Sequence, residues 1–102
     1  MSYQKPDLQW LAEWFQGQAN EKWEHEYGIK IATLDNPGWS LRVDLVDTSL
    51  RSASFAPEQS EDGESWTRFW KDDEEGVFHA AGDATALPMM IGRFRQWAAT
   101  NA

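Results

Sequence analysis

WEHEYGIKIATLDNPGWSLRVDLV, residues 23–46, alternates between apolar and polar side chains on both sides of a turn. A period of two predicts two β-strands, each with one face on a core and one in water. The intervening Asp35-Asn36-Pro37-Gly38 is turn chemistry, so the segment predicts a β-hairpin. Its apolar set occupies the odd-numbered positions Trp23, Tyr27, Ile29, Ile31, Trp39, Leu41, Val43 and Leu45.

The shared parity of these apolar positions constrains the hairpin loop. Residues directly opposite one another share a face of a sheet. A two-residue Pro37-Gly38 loop would therefore turn one strand's apolar set toward water. The hairpin needs either a loop of odd length, such as 36–38, or a Pro-Gly turn with a one-residue bulge. Asn36 precedes a proline and is biased away from the helical region, which favours the bulge. Either solution can place Ile31 beside Val43.

Helical spacing marks the two ends of the chain. Apolar residues at Leu8, Leu11, Trp14 and Phe15 predict a helix over about 7–16. A second stripe predicts a helix that begins near Thr85 or Ala86, with Asp83 or Thr85 as its cap. This stripe consists of Leu87, Met90, Ile91, Phe94, Trp97 and Ala98.

The region between the hairpin and the second helix predicts further strands. Residues 66–71 and 77–81 form a second hairpin around the acidic turn 72–76, with the odd and even positions of 66–71 on opposite faces. Residues 48–56 alternate weakly and leave strand, bulge and coil open, whereas 57–65 has the composition of a loop. The connections are too short for parallel crossovers. The predicted fold is α+β: a four- or five-stranded antiparallel meander sheet with an N-terminal and a C-terminal helix packed on one face.

Length and composition narrow the function. A chain of 102 residues forms one domain, 1–102. The net charge of −8, from 17 acidic and 9 basic residues, argues against nucleic acid and membranes as partners and favours either plain solubility or a basic partner protein. The chain contains no cysteine, which excludes disulfides and thiolate chemistry. MSYQKPDLQW lacks a secretory pattern, so we expect a cytoplasmic protein. The sequence has no H-E-x-x-H and no Gly-rich phosphate loop, and we expect no cofactor.

A set of motifs extends over nearly the whole chain. They are Trp10-Leu11, Trp14, Trp23-Glu24-His25, Tyr27-Gly28-Ile29, Thr33–Trp39 (TLDNPGW), Asp44-Leu45, Thr48, Trp66, Phe78, Gly82-Asp83, Leu87, Phe94 and Trp97. In these motifs the sequence resembles the immunity protein 53 family of bacterial polymorphic toxin systems. The resemblance implies a small α+β protein, encoded beside a toxin gene, that neutralises the toxin by direct binding. It brings no catalytic residue, and the sulfurtransferase chemistry attributed to some relatives needs a cysteine that this chain lacks.

The leading candidate for partner binding is the acidic stretch from Glu58 to Glu75. It holds eight carboxylates against Arg68 and Lys71, in two loops that we expect near each other at one side of the sheet. The alternative is that these are ordinary solvated loops. With tryptophans beside them as exposed anchors, the predicted partner-binding residues are Glu61, Asp62, Glu64, Trp66, Trp70, Asp72, Asp73, Glu74 and Glu75.

Two other sets are weaker candidates. The water-facing side of the first hairpin carries a mixed-charge row that favours cross-strand pairing: Glu24, Glu26, Lys30, Arg42 and Asp44. His25 and His79 lie near Glu24, Glu26 and Asp83 in the sequence, but Glu-His-Glu in a strand alternates faces and cannot converge on one ion. We expect His25 to be half-buried and to have no metal or acid–base role.

Three functions follow from these observations. The favoured one is a non-enzymatic immunity protein that binds a cognate toxin. The second is a small acidic interaction module, or a homodimer joined through a sheet edge or a tryptophan patch. The third is a small hydrolase that uses paired carboxylates, for which the sequence shows no nucleophile or ligand cluster.

Overall fold

In the computed structural model, which describes residues 5–101, the chain forms three helices and one five-stranded antiparallel sheet. This confirms the predicted α+β class with a helix near each end of the chain. The elements are α1 (Asp7–Gln18), α2 (Trp23–Glu26), β1 (Ile29–Leu34), β2 (Gly38–Asp44), β3 (Glu58–Asp62), β4 (Ser65–Asp72), β5 (Val77–Asp83) and α3 (Leu87–Asn101). Within residues 5–101, no helix has the length and apolar character needed to cross a membrane.

The strand order in space is β1-β2-β5-β4-β3. A meander through the whole sheet would place β2 beside the next strand in the chain, but β2 pairs with β5 instead. Only β3, β4 and β5 follow one another as a meander. As a result β5 occupies the centre of the sheet, and the exposed β1 and β3 form its two edges.

The first hairpin has the odd-length loop that parity requires, but with a different register. Leu34 lies opposite Gly38, so the loop is the three residues Asp35–Pro37, which contain a cis peptide bond before Pro37. The pairing is regular from Leu34 to Ile29, so the expected bulge was wrong. Ile31 faces Leu41 rather than Val43, a shift of two residues that keeps the apolar parity intact.

The sequence pattern misplaced the start of this hairpin. Trp23–Glu26 is a helical turn rather than the beginning of a strand. The carboxamide of Asn20 accepts the backbone N–H groups of Lys22 and Trp23, and the Glu24 carboxylate accepts those of Asn20 and Glu21. Short polar side chains that bind nearby backbone in this way compete with strand pairing, and this competition decides the segment.

The fifth strand does not lie in residues 48–56, for which the sequence leaves strand, bulge and coil open. Residues 48–56 form turns, in which Leu50 is fully buried and the Phe55 ring contacts the rings of Phe78 and Trp97. The strand β3 lies instead in the stretch predicted as an acidic loop. All five of its side chains are exposed, so burial leaves no apolar pattern in its sequence.

One face of the sheet carries the hydrophobic core. Leu41, Val43, Phe69, Phe78 and Ala80 project from the three central strands and pack under α3. The predicted α3 stripe is confirmed: Met90, Ile91, Phe94, Trp97 and Ala98 are buried, and Leu87 is half-buried against them. Fully burying a large side chain contributes on the order of 1.5–3 kcal/mol, so this face supplies most of the stability.

Helix α1 packs on α3 through part of the predicted stripe, namely Leu11 and Trp14, together with Trp10. Leu8 and Phe15 are 64% and 38% exposed, whereas Leu11 is buried and the rings of Trp10 and Trp14 meet Phe94 edge-on. The Trp10 ring therefore takes part in the interface with α3, whereas Leu8 stays mostly exposed.

The junction between β5 and α3 is held by a glycine and a carboxylate. A Cβ on Gly82 would lie 2.6 Å from the Cβ of Ala86, so only glycine lets α3 approach the sheet this closely. The Asp83 carboxylate accepts the backbone N–H groups of Thr85 and Trp66 and the Thr85 hydroxyl. These bonds lower the pKa of Asp83, with the Thr85 N–H as the largest cause. Asp83 therefore stabilises the turn before α3, while Ala86 takes the cap position expected for Asp83 or Thr85.

Candidate partner-binding surface

The face of the sheet opposite the helices, here called the open face, has no helix packed on it within residues 5–101. Cross-strand pairing assigns its side chains without ambiguity, because residues directly opposite share a face. Thr67 and Phe69 point into the core, so Trp66, Arg68 and Trp70 of β4 point outward. An outward sheet face with large aromatic and cationic side chains differs from an ordinary solvated surface.

One row of this face crosses four strands. Lys30 of β1 lies opposite Arg42 of β2, Arg42 opposite His79 of β5, and His79 opposite Trp70 of β4. The Trp70 and His79 rings stack with centroids 4.9 Å apart and planes 11° from parallel. Trp70 is 39% exposed, whereas Trp10, Trp14, Trp23, Trp39, Trp66 and Trp97 are buried or half-buried.

The same row overturns the mixed-charge pairing expected for the hairpin. The observed register places Lys30 directly opposite Arg42, and like charges in that position are destabilising. Glu24 and Glu26 belong to α2 and are not part of the strand. The Arg42 guanidinium reaches carboxylates only loosely, at 3.7 Å from Asp44 and 3.9 Å from Glu75.

The setting of His79 favours the neutral form of its imidazole. Partial burial of its imidazole is the largest cause that lowers its pKa below the ordinary 6.5, and the positive charge of Arg42 lowers it further. Asp72, Glu75 and Asp44 act in the opposite direction without outweighing those two effects. A neutral imidazole stacked on Trp70 presents an aromatic platform rather than another charge.

A second row consists mainly of small side chains. Ala32, Ser40 and Ala81 succeed one another across β1, β2 and β5, and Arg68 of β4 lies opposite Ala81. Arg68 also lines a cleft of about 290 Å³ with Asn36, Gln59, Trp66 and the carboxylate-bearing Glu61, with which it forms no ion pair. Because Asn36 belongs to the first hairpin loop and Gln59 to the far edge strand, the open face is concave at this end.

The predicted partner-binding residues are not gathered into one patch. Glu61, Trp66 and Trp70 lie on the open face, but the acidic loops occupy opposite ends of β4. Asp62 and Glu64 precede Ser65 at one end, and Asp73–Glu75 follow Asp72 at the other. An eight-residue strand separates its ends by roughly 23 Å, so the expectation that the two loops lie near each other was wrong.

The second acidic loop is also part of the scaffold. The Asp72 carboxylate accepts the backbone N–H groups of Glu74 and Glu75, and the Arg51 guanidinium donates to the carbonyls of Asp73 and Glu74. The Asp73 carboxylate lies 2.9 Å from the Lys71 ammonium, whose side chain is 2% exposed. Glu74 and Glu75 therefore remain the carboxylates in this loop best placed to meet a partner.

The other loop and its edge strand keep most of their charge exposed. Glu61, Asp62 and Glu64 are exposed. Glu58 instead forms a two-pronged ion pair with Arg93 of α3, whose side-chain hydrogen bond is the largest cause that lowers the pKa of Glu58. Each end of β4 thus presents negative charge, with the cations of the open face between them.

The structure assembles no cluster of metal-ligating side chains in the part of the chain that it describes. Within residues 5–101, no three His, Asp or Glu side chains are placed to hold a metal ion. His25 is exposed on α2 rather than half-buried, because its segment is helical instead of extended. His79 and Asp83 lie on β5 and are occupied by the Trp70 stack and the turn before α3.

Sequence reasoning found the two tryptophans but missed the cations of this surface. Arg68 entered only as a counter-charge to the acidic stretch, and Arg42 only as a member of a neutralised row. The alternation of Trp66, Arg68 and Trp70 was a usable signal. This alternation can be interpreted only if Thr67 and Phe69 are known to form the buried side of the strand. The sequence does not show which side is buried, because both faces of this strand carry large aromatic residues.

Many motif residues stabilise the scaffold, which shows what kind of information the motifs hold. The indole N–H groups of Trp23, Trp39 and Trp97 donate to the carbonyls of Val46, Ala84 and Ser54. The Asp44 carboxylate accepts the Gly28 N–H, and the Thr48 hydroxyl donates to the Leu45 carbonyl. The motifs therefore specify the fold, whereas Arg42, Arg68, Trp70 and His79 lie outside them.

The fold and surface define a small α+β protein in which one sheet face is packed under helices and the other, within residues 5–101, has no helix on it. A family model described as Immunity protein 53 matches residues 8–99. The chain belongs to this family, whose name implies an immunity protein and hence a cognate toxin as its partner. No curated protein and no solved structure matches the chain.

Proposed function

We propose that this chain is a non-enzymatic immunity protein of a polymorphic toxin system that neutralises its cognate toxin by direct binding in the cytoplasm of the producing cell. One observation carries the proposal: the open face presents Trp66 and Trp70 between two acidic ends of the same strand. Family membership supplies the kind of partner. The surface supplies the means of binding, because aromatic residues with polar surroundings are the usual anchors of protein interfaces.

The acidic ends favour a toxin with basic surface regions. Complementary charge around an interface raises the association rate and selects the partner more than it raises affinity. Glu61, Asp62 and Glu64 provide the negative charge at one end, and Asp72–Glu75 provide it at the other. Two separated acidic ends match a toxin that straddles β4 and carries basic groups at both margins of its contact surface.

Trp70 is the anchor we expect to contribute most. Its indole is exposed yet fixed in orientation by the His79 ring, so a partner can bury it with little loss of side-chain freedom. Trp66 is half-buried at the edge of the Arg68 cleft and offers a smaller area. A hot-spot tryptophan typically costs at least about 2 kcal/mol of binding free energy when it is truncated.

The direct test is co-expression with the product of the adjacent gene. If the proposal holds, the chain restores growth to cells that express the toxin, and the two proteins co-purify as a complex. Trp70→Ala should weaken that complex by roughly 30-fold or more, whereas Leu8→Ala, at an exposed apolar residue on α1, should leave it unchanged. Rescue without a complex, or turnover of a substrate by the purified chain, would refute neutralisation by binding.

The role of the acidic ends is tested by charge reversal. Glu64→Lys and Glu74→Lys reverse one carboxylate at each end without removing a side chain that holds a turn. Both should slow association and reduce its dependence on salt. Glu21→Lys, in the connection between α1 and α2, is the matched control. Association rates equal to that control would remove the acidic ends from the contact surface.

A second copy of this chain is the alternative partner that a specific feature favours. The edge strand β1 carries Ile31, 39% exposed, and a single charge at Lys30. Exposed apolar edges are templates for strand pairing. Sedimentation equilibrium distinguishes the two partners, because a dimer that Ile31→Lys dissociates, without any toxin complex, would favour self-association.

A further inference from the structure

The cations of the open face are paired less closely than most others in the chain. Elsewhere in residues 5–101, Lys5, Lys71, Arg93 and Arg95 each have a carboxylate oxygen within hydrogen-bonding distance, and Arg51 donates to two backbone carbonyls. On the open face, Arg42 reaches carboxylates only at 3.7 and 3.9 Å. Within the same described range, Lys30 and Arg68 form no ion pair.

This pattern is not explained by a shortage of carboxylates. The chain has 17 acidic and 9 basic residues, so internal partners are in excess. Lys30 and Arg42 nevertheless lie directly opposite each other, where their repulsion opposes folding. An arrangement that costs stability and leaves cations beside exposed aromatic side chains suits recognition of a partner with complementary charge.

We propose that Lys30, Arg42 and Arg68 form a recognition site for an acidic segment of the cognate toxin. The inference rests on the proposed function and adds a partner chemistry to it. The acidic segment crosses the small residues Ala32, Ser40 and Ala81, whose three strands span about 10 Å. There its carboxylates relieve the repulsion between Lys30 and Arg42.

Arg68 is the centre of this site. It projects from β4 between Trp66 and Trp70, which lie two residues away on either side and point to the same face. A guanidinium accepts a carboxylate through two parallel hydrogen bonds. When the flanking indoles are covered by the partner, that pair is shielded from water and becomes stronger than a surface pair. Along β4 the surface therefore alternates negative, positive, negative, and the toxin should carry the inverse pattern.

The experiment compares how two charge-reversal variants change the affinity for the partner. Arg68→Glu and Lys22→Glu each change the net charge by the same amount, but Lys22 lies in the connection between α1 and α2, outside the open face. Affinity for the product of the adjacent gene is measured by calorimetry at constant salt. Arg68→Glu should weaken the complex by about 30-fold or more and Lys22→Glu by less than about threefold. Arg68→Gln, which removes charge without reversing it, should fall between them.

A second measurement identifies the chemistry of the partner directly. Carbodiimide joins an amine to a carboxylate without a spacer, so it should couple Lys30 to an aspartate or glutamate of the toxin in the wild-type complex. Arg68→Lys places an amine at the centre of the site and should yield a second coupling to the same toxin segment. Peptide mapping by mass spectrometry locates both links, and Lys22 should give none.

The outcomes separate this inference from the function on which it rests. Absence of a wild-type complex would overturn the proposed function and the inference together. A tight wild-type complex that Arg68→Glu weakens no more than Lys22→Glu would overturn the inference alone. Should Arg68→Glu fail to fold, the Arg68→Gln affinity and the Lys30 link decide. A single-stranded oligonucleotide that binds the wild-type chain, depends on Arg68 and displaces the toxin would assign the site to nucleic acid and overturn the proposal.

Discussion

The two faces of the sheet are formed by the same strands but differ in the partners of their side chains. On the covered face, Phe78 contacts the rings of Phe55, Phe69, Phe94 and Trp97, and each apolar group is matched by another. On the open face, one residue along β5, His79 lies between Arg42 and Trp70 in a row that includes two opposed cations. The covered face stabilises the fold, and the open face keeps groups whose interactions a partner can complete.

The sharpest test of this comparison uses the two neighbouring residues. Phe78 is fully buried, so Phe78→Ala should lower the free energy of unfolding by about 3–5 kcal/mol, through lost burial and a cavity. His79→Ala removes a half-buried ring from the open face and should cost less than about 1 kcal/mol. Urea unfolding followed by tryptophan fluorescence measures both. Equal losses would mean that the open face is as important to stability as the core.

A smaller loss of unfolding free energy is expected when the charge of Lys71, on the covered face, is removed. The Lys71 ammonium donates to the carbonyls of Arg51 and Ala53 at 2.9 and 2.7 Å, as well as to Asp73. Lys71→Met keeps the buried stem but leaves those carbonyls without their donor, which should cost about 1–3 kcal/mol.

Lys30→Met is the matched change on the open face. It removes a cation that faces Arg42 and should alter stability by no more than about 0.5 kcal/mol, in either direction. The same unfolding experiment serves for both variants. A large loss at Lys30 would show that the opposed cations are stabilising and would weaken the case for a recognition site.

The smallest expected effect is on how the free energy of unfolding depends on pH. The pKa of His79 is lowered in the folded chain, by burial first and Arg42 second, so the unfolded chain binds the proton more readily. Above the unfolded value of 6.5 both states are neutral and His79 has no effect. As the pH falls through 6.5 toward the folded pKa, the unfolded state gains the proton first and stability decreases.

His79→Gln should remove this decrease and flatten the stability profile below pH 6.5. Arg42→Gln should reduce it in part, because the guanidinium is the second cause of the shift. Unfolding measured from pH 7.5 to 5.5, about one unit on either side of the ordinary pKa, provides the comparison. A wild-type profile that matches that of His79→Gln would show that the imidazole is solvated like that of an unfolded chain.

The sequence predicted the parts of the fold in which burial is periodic. The α3 stripe and the parity of Ile29, Ile31, Leu41 and Val43 follow from the apolar pattern alone, and both are confirmed. The pattern overstated burial at the edge: Leu41 and Val43 are buried, whereas Ile29 is half-buried and Ile31 is exposed, because α3 lies over β2 and β5 rather than β1. Strand β3 has no apolar periodicity, and its existence depends on pairing with β4.

The sequence predicted some residues of the candidate surface but not how they are arranged. Trp66, Trp70 and the acidic residues stand out in composition, but their relation does not. A shift of two residues in the first hairpin leaves every apolar residue on its face, yet it exchanges Asp44 for Arg42 as the neighbour of Lys30. The pairing of β5 with β2 then aligns Arg42 with His79 and Trp70. Neither the register nor the strand order is encoded by local periodicity.

By itself, then, the amino-acid sequence determined an acidic, cysteine-free α+β chain with a hairpin, two amphipathic helices and the motifs of its family. Periodic burial and local turn chemistry act over short distances, so they can be recognised in the order of the residues. Only the tertiary structure decided which side of β4 meets α3, where the two acidic ends lie, and which cations face each other. Those features depend on pairing between strands far apart in the chain, whose energies are settled by the packing of the whole sheet.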